Sequence, residues 1–193
     1  PANDVVLSII SSDTGEATVT STLTFTSTNW DTAQTVTVTG VDDSLLDGSQ
    51  SSIVTISVVD QNTSDEFDAV ADQTVSVSTT DDDVAGFTIV EFEGSTEVDE
   101  SGDTDTFTVV LDAQPDSNVV VAISVSDSSE ISVNSPLTFT SANWDTAQVV
   151  TVTGVDDDII DGTINSTITV TIVDAISDDQ FDAVAEQTVS VST

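Results

Sequence analysis

The chain has 193 residues, 36 of them aspartate or glutamate and none lysine, arginine, histidine or cysteine, for a formal net charge of −36. That inventory removes Schiff-base, imidazole and thiolate chemistry, the Ser-His-Asp triad, disulfides and any cationic phosphate clamp. It also excludes nucleic acid, whose binding needs cationic groups to displace counterions.

The apolar content of 37% argues against simple disorder. Valine and isoleucine dominate it, and these β-branched types suit strands. No apolar run approaches the ~20 residues of a bilayer span, and an anionic membrane surface repels such a chain. Pro1 opens no signal peptide, so the sequence reads as a piece of something longer.

In chain order, the first feature is a segment that returns. LTFTSTNWDTAQTVTVTGVDD at 23–43 reappears as LTFTSANWDTAQVVTVTGVDD at 137–157, an offset of 114 residues. The match runs without a gap from Pro1/Pro115 to Thr79/Thr193 and pairs Trp30 with Trp144 and Gly48 with Gly162. FDAVADQTVSVST from Phe67 likewise pairs with FDAVAEQTVSVST from Phe181. Near-identical neighbours at a long period mark a tandem array. Two repeats follow, 1–83 and 84–193, of which the first has no counterpart of residues 84–114.

The full repeat predicts strands at 86–92, 104–111, 118–125, 136–140, 147–154, 166–173 and 186–193, several alternating apolar residues with Thr or Ser. Turns rich in Gly, Asp, Asn, Ser and Pro separate them, and no stretch has helical periodicity. About seven short strands in roughly 110 residues predict an all-β fold of tandem immunoglobulin-like antiparallel β-sandwich domains.

The carboxylates are clustered. GVDDSLLDG (40–48) and its copy GVDDDIIDG (154–162) follow strands, TTDDDVAGF (79–87) joins the repeats, and EVDESGDTD (97–105) precedes a strand. If strand-end loops and the chain's exit share one pole, Asp42, Asp43 and Asp47 face Asp81, Asp82 and Asp83. Two like charges ~4 Å apart cost roughly 1 kcal/mol in water and about 4 at an effective dielectric of 20. No side chain here offsets that, so either the loops splay or a hard divalent cation such as Ca²⁺ holds them. The loops do not have EF-hand spacing.

This combination of ESG before a strand, LTF, VDDDIIDG after a strand, and DDDVAGF between copies resembles the Calx-β domain, a calcium-binding sandwich also found in large bacterial surface proteins. The resemblance covers essentially the whole chain. It implies Ca²⁺ on Asp42, Asp43, Asp47, Asp81, Asp82 and Asp83, with Glu16 as a further candidate ligand. In the second copy the matching positions are Glu100, Glu130, Asp156, Asp157 and Asp161.

Calx-β domains often have Asp-Tyr where this chain has Glu130-Ile131, which leaves Asp13 and Asp127 as competing candidates. Gly162 and Thr163 stand where the family often has more acid, and the second copy's closing DDD would lie beyond Thr193.

The implied function is structural. It is a calcium-stiffened extender repeat of a secreted bacterial adhesin or extracellular filament at the cell surface. Its partners are neighbouring repeats of the same chain and other copies in a filament or surface layer. The alternative is a carbohydrate- or protein-binding module.

No enzyme is expected. Asp13-Thr14-Gly15 spells the aspartic-protease triplet but becomes Asp127-Ser128-Ser129 in the copy. Trp30, Trp144, Phe67 and Phe181 read as core residues rather than ligand platforms. Asn62-Thr63-Ser64 and Asn165-Ser166-Thr167 fit the short glycosylation pattern.

Overall fold

Alternation of β-branched residues with Thr and Ser produces strands throughout, and among the described residues the only helical pieces are short 3₁₀ turns such as Asp174–Ile176 and Asp179–Phe181. The structure is a computed structural model that describes residues 1, 3–63, 65–160 and 162–193, excluding the side chains of residues 62 and 65. Ser64 of the first glycosylation pattern and Asp161 of the second acidic loop lie outside the described residues.

The chain divides into two units, Pro1–Asp43 with Asp47–Asp82, and Ser44–Leu46 with Asp83–Thr193. The first unit has β1 (Val5–Ser11), β2 (Ala17–Val19), β3 (Thr22–Phe25), β4 (Val38–Gly40), β5 (Gln50–Val58) and β6 (Gln73–Thr79). One sheet runs β3-β1-β5-β6, and β2 pairs with β4.

The second unit has β7 (Phe87–Glu91), β8 (Thr96–Glu97), β9 (Thr104–Leu111), β10 (Val119–Val125), β11 (Ile131–Val133), β12 (Leu137–Phe139), β13 (Gln148–Gly154), β14 (Asn165–Ile172) and β15 (Gln187–Ser192). They form a five-stranded sheet, β12-β10-β14-β15-β8, and a four-stranded sheet, β11-β13-β9-β7. All pairings are antiparallel except the short β15–β8 contact. The two-residue β8 and three-residue β11 are too short to give a sequence signal.

The second unit's core follows from period-2 alternation. Phe107, Val109 and Leu111 of β9, Val119, Val121 and Ile123 of β10, Val150 and Val152 of β13, and Ile168, Val170 and Ile172 of β14 are all buried in one cluster. Fully burying each such side chain contributes about 1.5–3 kcal/mol. Phe181 is fully buried there and Trp144 packs against the cluster, as the sequence predicts.

The first unit departs from that expectation. Trp30 is 61% exposed and Phe67 only half-buried. The cause is topological. β3-β1-β5-β6 corresponds strand for strand to β12-β10-β14-β15, and β2-β4 to β11-β13, but nothing in the first unit corresponds to β7, β8 or β9. Val38 and Val75 are therefore 40% and 51% exposed, where their copies Val152 and Val189 are 0% and 2%.

One imperfection repeats. The inward hydroxyls of Ser52 and its copy Ser166 are buried and have no hydrogen-bond partner among the described residues. Ser166→Ala is expected to stabilise the second unit by about 1 kcal/mol, read as a raised urea midpoint, because it removes an unsatisfied buried group.

Candidate metal centre

At one end of the first unit, three acidic segments are tied to a single backbone carbonyl. The Glu16 carbonyl, at the start of β2, accepts the Val41 amide (2.9 Å) from the loop after β4 and the Thr79 hydroxyl (3.1 Å) from the end of β6. The chain reaches Glu16 through a turn in which Asp13 Oδ1 accepts the Gly15 amide at 2.9 Å. That local bond is the Asx turn favoured by Asp before Gly, and it accounts for the protease-like triplet. From the next segment, Asp81 Oδ2 accepts the Gly48 amide at 2.9 Å, joining the two acidic loops. Gly48 has a φ of 68°, a left-handed conformation that favours glycine.

The electrostatics follow from this convergence. The half-buried Glu16 carboxyl is pushed above its usual range, first by partial loss of water and then by repulsion from Asp47, Asp43, Asp13 and Asp81. Four of the carboxylates singled out in the sequence, together with the competing candidate Asp13, thus share one electrostatic neighbourhood. Asp42 and Asp82 sit exposed on the same two loops, and Asp83 belongs to the second unit.

The donor chemistry fits a hard divalent cation, since the titratable side chains here all offer carboxylate oxygen and the sequence has no cationic side chain. Among the described residues, however, no group of three or more carboxylates is drawn together tightly enough to hold an ion. The neighbourhood is a pole of mutually repelling carboxylates rather than a finished cage.

The second unit repeats the scaffold with a different finish. The Glu130 carbonyl accepts the Val155 amide at 2.9 Å, and the Glu130 side chain is buried. Asp157 Oδ1 accepts the Ile159 amide at 2.6 Å, turning it onto its own loop, while Asp156 is exposed. Glu100 lines a depression of about 430 Å³ with Asp99, Ile159, Ile160, Gly162, Thr163 and Thr193. The Thr193 hydroxyl, copy of the Thr79 hydroxyl that holds Glu16, is buried without a partner among the described residues.

Asp99 and Asp127 are held below their usual range, chiefly by the hydroxyls and then the amides of Ser101 and Ser129. Asp127 is thereby satisfied within its own turn.

The sequence reading missed one acidic group, Asp174, Asp178, Asp179 and Asp182 around the 3₁₀ turns of the second unit. Loss of water and then repulsion from Asp174, Asp179 and Asp178 push the Asp182 carboxyl upward. The buried Asp178 accepts the Ser117 amide (2.8 Å) and the Gln180 amide (3.0 Å), so it pins the loop. The spacing of these aspartates in the sequence was the available signal.

The pH dependences have opposite signs. Glu16, raised when folded, stabilises the first unit below its ordinary value of 4.5 and loses that contribution as pH rises through the folded pKa. Asp99 and Asp127, lowered when folded, stabilise the second unit above 3.8 and lose that contribution as pH falls. Without divalent ions, acidification from pH 7 to pH 4.5 is therefore expected to raise the first unit's denaturation midpoint, followed by Trp30 fluorescence. Glu16→Gln is expected to flatten the rise.

Comparison with known proteins gives these findings. No family model matches the sequence, and no curated protein matches it significantly. Among solved structures, domains 4 and 5 of the S-layer protein SbsC align at TM-score 0.44 and 16% identity, covering 96% of this chain and 68% of that one. The calcium binding domain CBD12 of CALX1.1 aligns at TM-score 0.38 and 13% identity, covering 88% and 68%. CBD12 from CALX1.2 aligns at TM-score 0.38 and 10% identity, covering 100% and 88%. In the longer SbsC structure of residues 31–844, this chain spans 19% of the length.

Proposed function

We propose that this chain is part of the extracellular repeat array of a bacterial surface protein, an adhesin extender or filament, stiffened by Ca²⁺ at the acidic end of its repeats. The observation that carries the reading is the convergence on Glu16 of Asp13, Asp43, Asp47 and Asp81 in a chain with no cationic side chain. In the first unit the ion would be held by Asp42, Asp43, Asp47, Asp81 and Asp82, with Glu16 or Asp13 completing the set and Asp83 continuing the triplet. In the second unit Glu100, Glu130, Asp156, Asp157 and Asp161 take the same part.

Bound calcium supplies positive charge to about 6–8 oxygens at roughly 2.3–2.6 Å. The residues supply the rest. The Glu16 carbonyl already fixes the spacing of the loops, so carboxylates that repel one another exchange a cost for a gain when the ion enters. The triplet at 81–83 runs directly into β7, so its immobilisation removes freedom from the covalent connection between repeats. The role is mechanical, with no catalytic step.

The test is calorimetry and thermal melting of the whole chain with CaCl₂ or with chelator. Extracellular modules bind calcium at about 10⁻⁴–10⁻³ M, and binding there is expected to raise the first unit's melting temperature. Equal midpoints in the two buffers overturn the reading. Glu16→Gln gives a two-sided check, with higher stability in chelator at pH 7 and roughly tenfold weaker calcium binding.

Exposure of Trp30 favours a second reading, a glycan- or protein-binding module. Reproducible glycan-array hits lost in Trp30→Ala would support it. Against it stands Trp144, the same residue one repeat later, which packs against the core.

A further inference from the structure

The second unit takes part of its core from a segment outside its own repeat. Leu46, in the middle of the 40–48 loop, is 8% exposed and belongs to the second unit's core cluster with Phe87, Leu111 and Ala113. The backbone beside it is fastened to the chain just after β9. Leu45 forms a parallel bridge with Gln114, and the Ser44 carbonyl accepts the Gln114 amide at 2.8 Å. One period later the same three positions are Asp158, Ile159 and Ile160. There the aliphatic pair lies bare, with Ile159 63% exposed and Ile160 fully exposed. Covering each of two such side chains is worth about 1.5–3 kcal/mol.

We propose that Ile159–Ile160 is a docking clasp whose partner is a further repeat of this kind, seated on the edge that corresponds to 111–114. The clasp is an apolar break in an acidic loop, set between Asp157 and Asp161 as Leu45–Leu46 is set between Asp43 and Asp47. Leucine and isoleucine have the same volume, so the exchange preserves the fit to the seat. Ser44 uses only its carbonyl in the seat, which Asp158 supplies equally well. The seat's own stretch, 111–114, carries a single charge, Asp112. Recognition is therefore by apolar fit and a main-chain hydrogen bond, without charge pairing. The inference rests on the repeat-array reading above but not on calcium.

Two experiments on the whole chain test it, both in chelator, where a failure of calcium stiffening leaves the clasp untouched. In the first, Ser44→Asp, Leu45→Ile and Leu46→Ile together place the second loop's clasp in the seat, while Leu45→Ser with Leu46→Ser empties it. The second unit's urea midpoint is followed by Trp144 in a Trp30→Phe background. It is expected to stay unchanged for the exchange and to fall for the serine pair. Equal midpoints for the two variants overturn the proposal. Should the serine pair unfold the second unit outright, the exchange still decides, because a clasp that does not fit would unfold it too.

The second experiment supplies the seat on a separate chain and uses the absence of native cysteine. A chain bearing Ile159→Cys is mixed with one bearing Gln114→Cys and the serine pair. Their mixed disulfide is expected to form roughly tenfold faster than with a Gln114→Cys chain whose Leu45 and Leu46 are intact, since the bond needs Cα atoms within about 7 Å. A Thr163→Cys donor, on the same loop but outside the clasp, should show only the slower rate. Equal rates for emptied and filled seats, or for the two donors, overturn the proposal.

Discussion

Gly154→Ala is expected to destabilise the second unit by about 3 kcal/mol, whereas Gly40→Ala, the same change one repeat earlier, is expected to be neutral or slightly stabilising. A Cβ on Gly154 would lie 1.9 Å from the Asp99 carbonyl oxygen and 2.7 Å from its carbon. The strand cannot back away, because the Gly154 amide donates to the Asp103 carbonyl at 3.0 Å and β13 is held by β9 and β11. A Cβ on Gly40 meets nothing nearer than the Thr79 methyl carbon at 3.7 Å, so alanine there gains about 0.5 kcal/mol of chain entropy. Urea denaturation followed by tryptophan emission checks both, with Trp30→Phe isolating the second unit's Trp144. Equal effects at the two glycines would mean that Asp99 does not approach Gly154.

Phe139→Ala should cost about 3–5 kcal/mol, and Phe25→Ala, its copy, roughly half of that or less. Phe139 is fully buried in the second unit's core, so truncation leaves a cavity that close-packed neighbours cannot fill. Phe25 is only half-buried and lines an open groove, so water already reaches the space its ring would vacate. The same denaturation measurement, read by Trp30 for the first unit and Trp144 for the second, separates the two costs.

The candidate metal centre was partly legible beforehand. Repeated Asp runs at strand ends, without compensating charge, announce a pole of mutually repelling carboxylates by composition and Coulomb's law alone. Which carboxylates share space was not legible, because it depends on contacts distant in sequence. Glu16 meets the 40–48 loop only because β2 pairs with β4 and its carbonyl takes the Val41 amide and Thr79 hydroxyl. The Asp174–Asp182 group, four aspartates within nine residues, escaped notice because they are interleaved with other residues rather than forming an Asp run, and the chain winds them through two 3₁₀ turns.

By itself the sequence determined the strand class, the 114-residue period and the anionic character, all of which follow from residue type, alternation and counting. Tertiary structure alone decided where a strand-forming sequence becomes a strand. AQTVTVTG at 33–40 and AQVVTVTG at 147–154 differ at one residue, yet the second yields the seven-residue β13 and the first only Val38–Gly40. The difference is β9, which satisfies the backbone groups of β13 on one side and covers its valines. An extended segment lacking such a neighbour leaves its amides and carbonyls to water and stays outside the sheet.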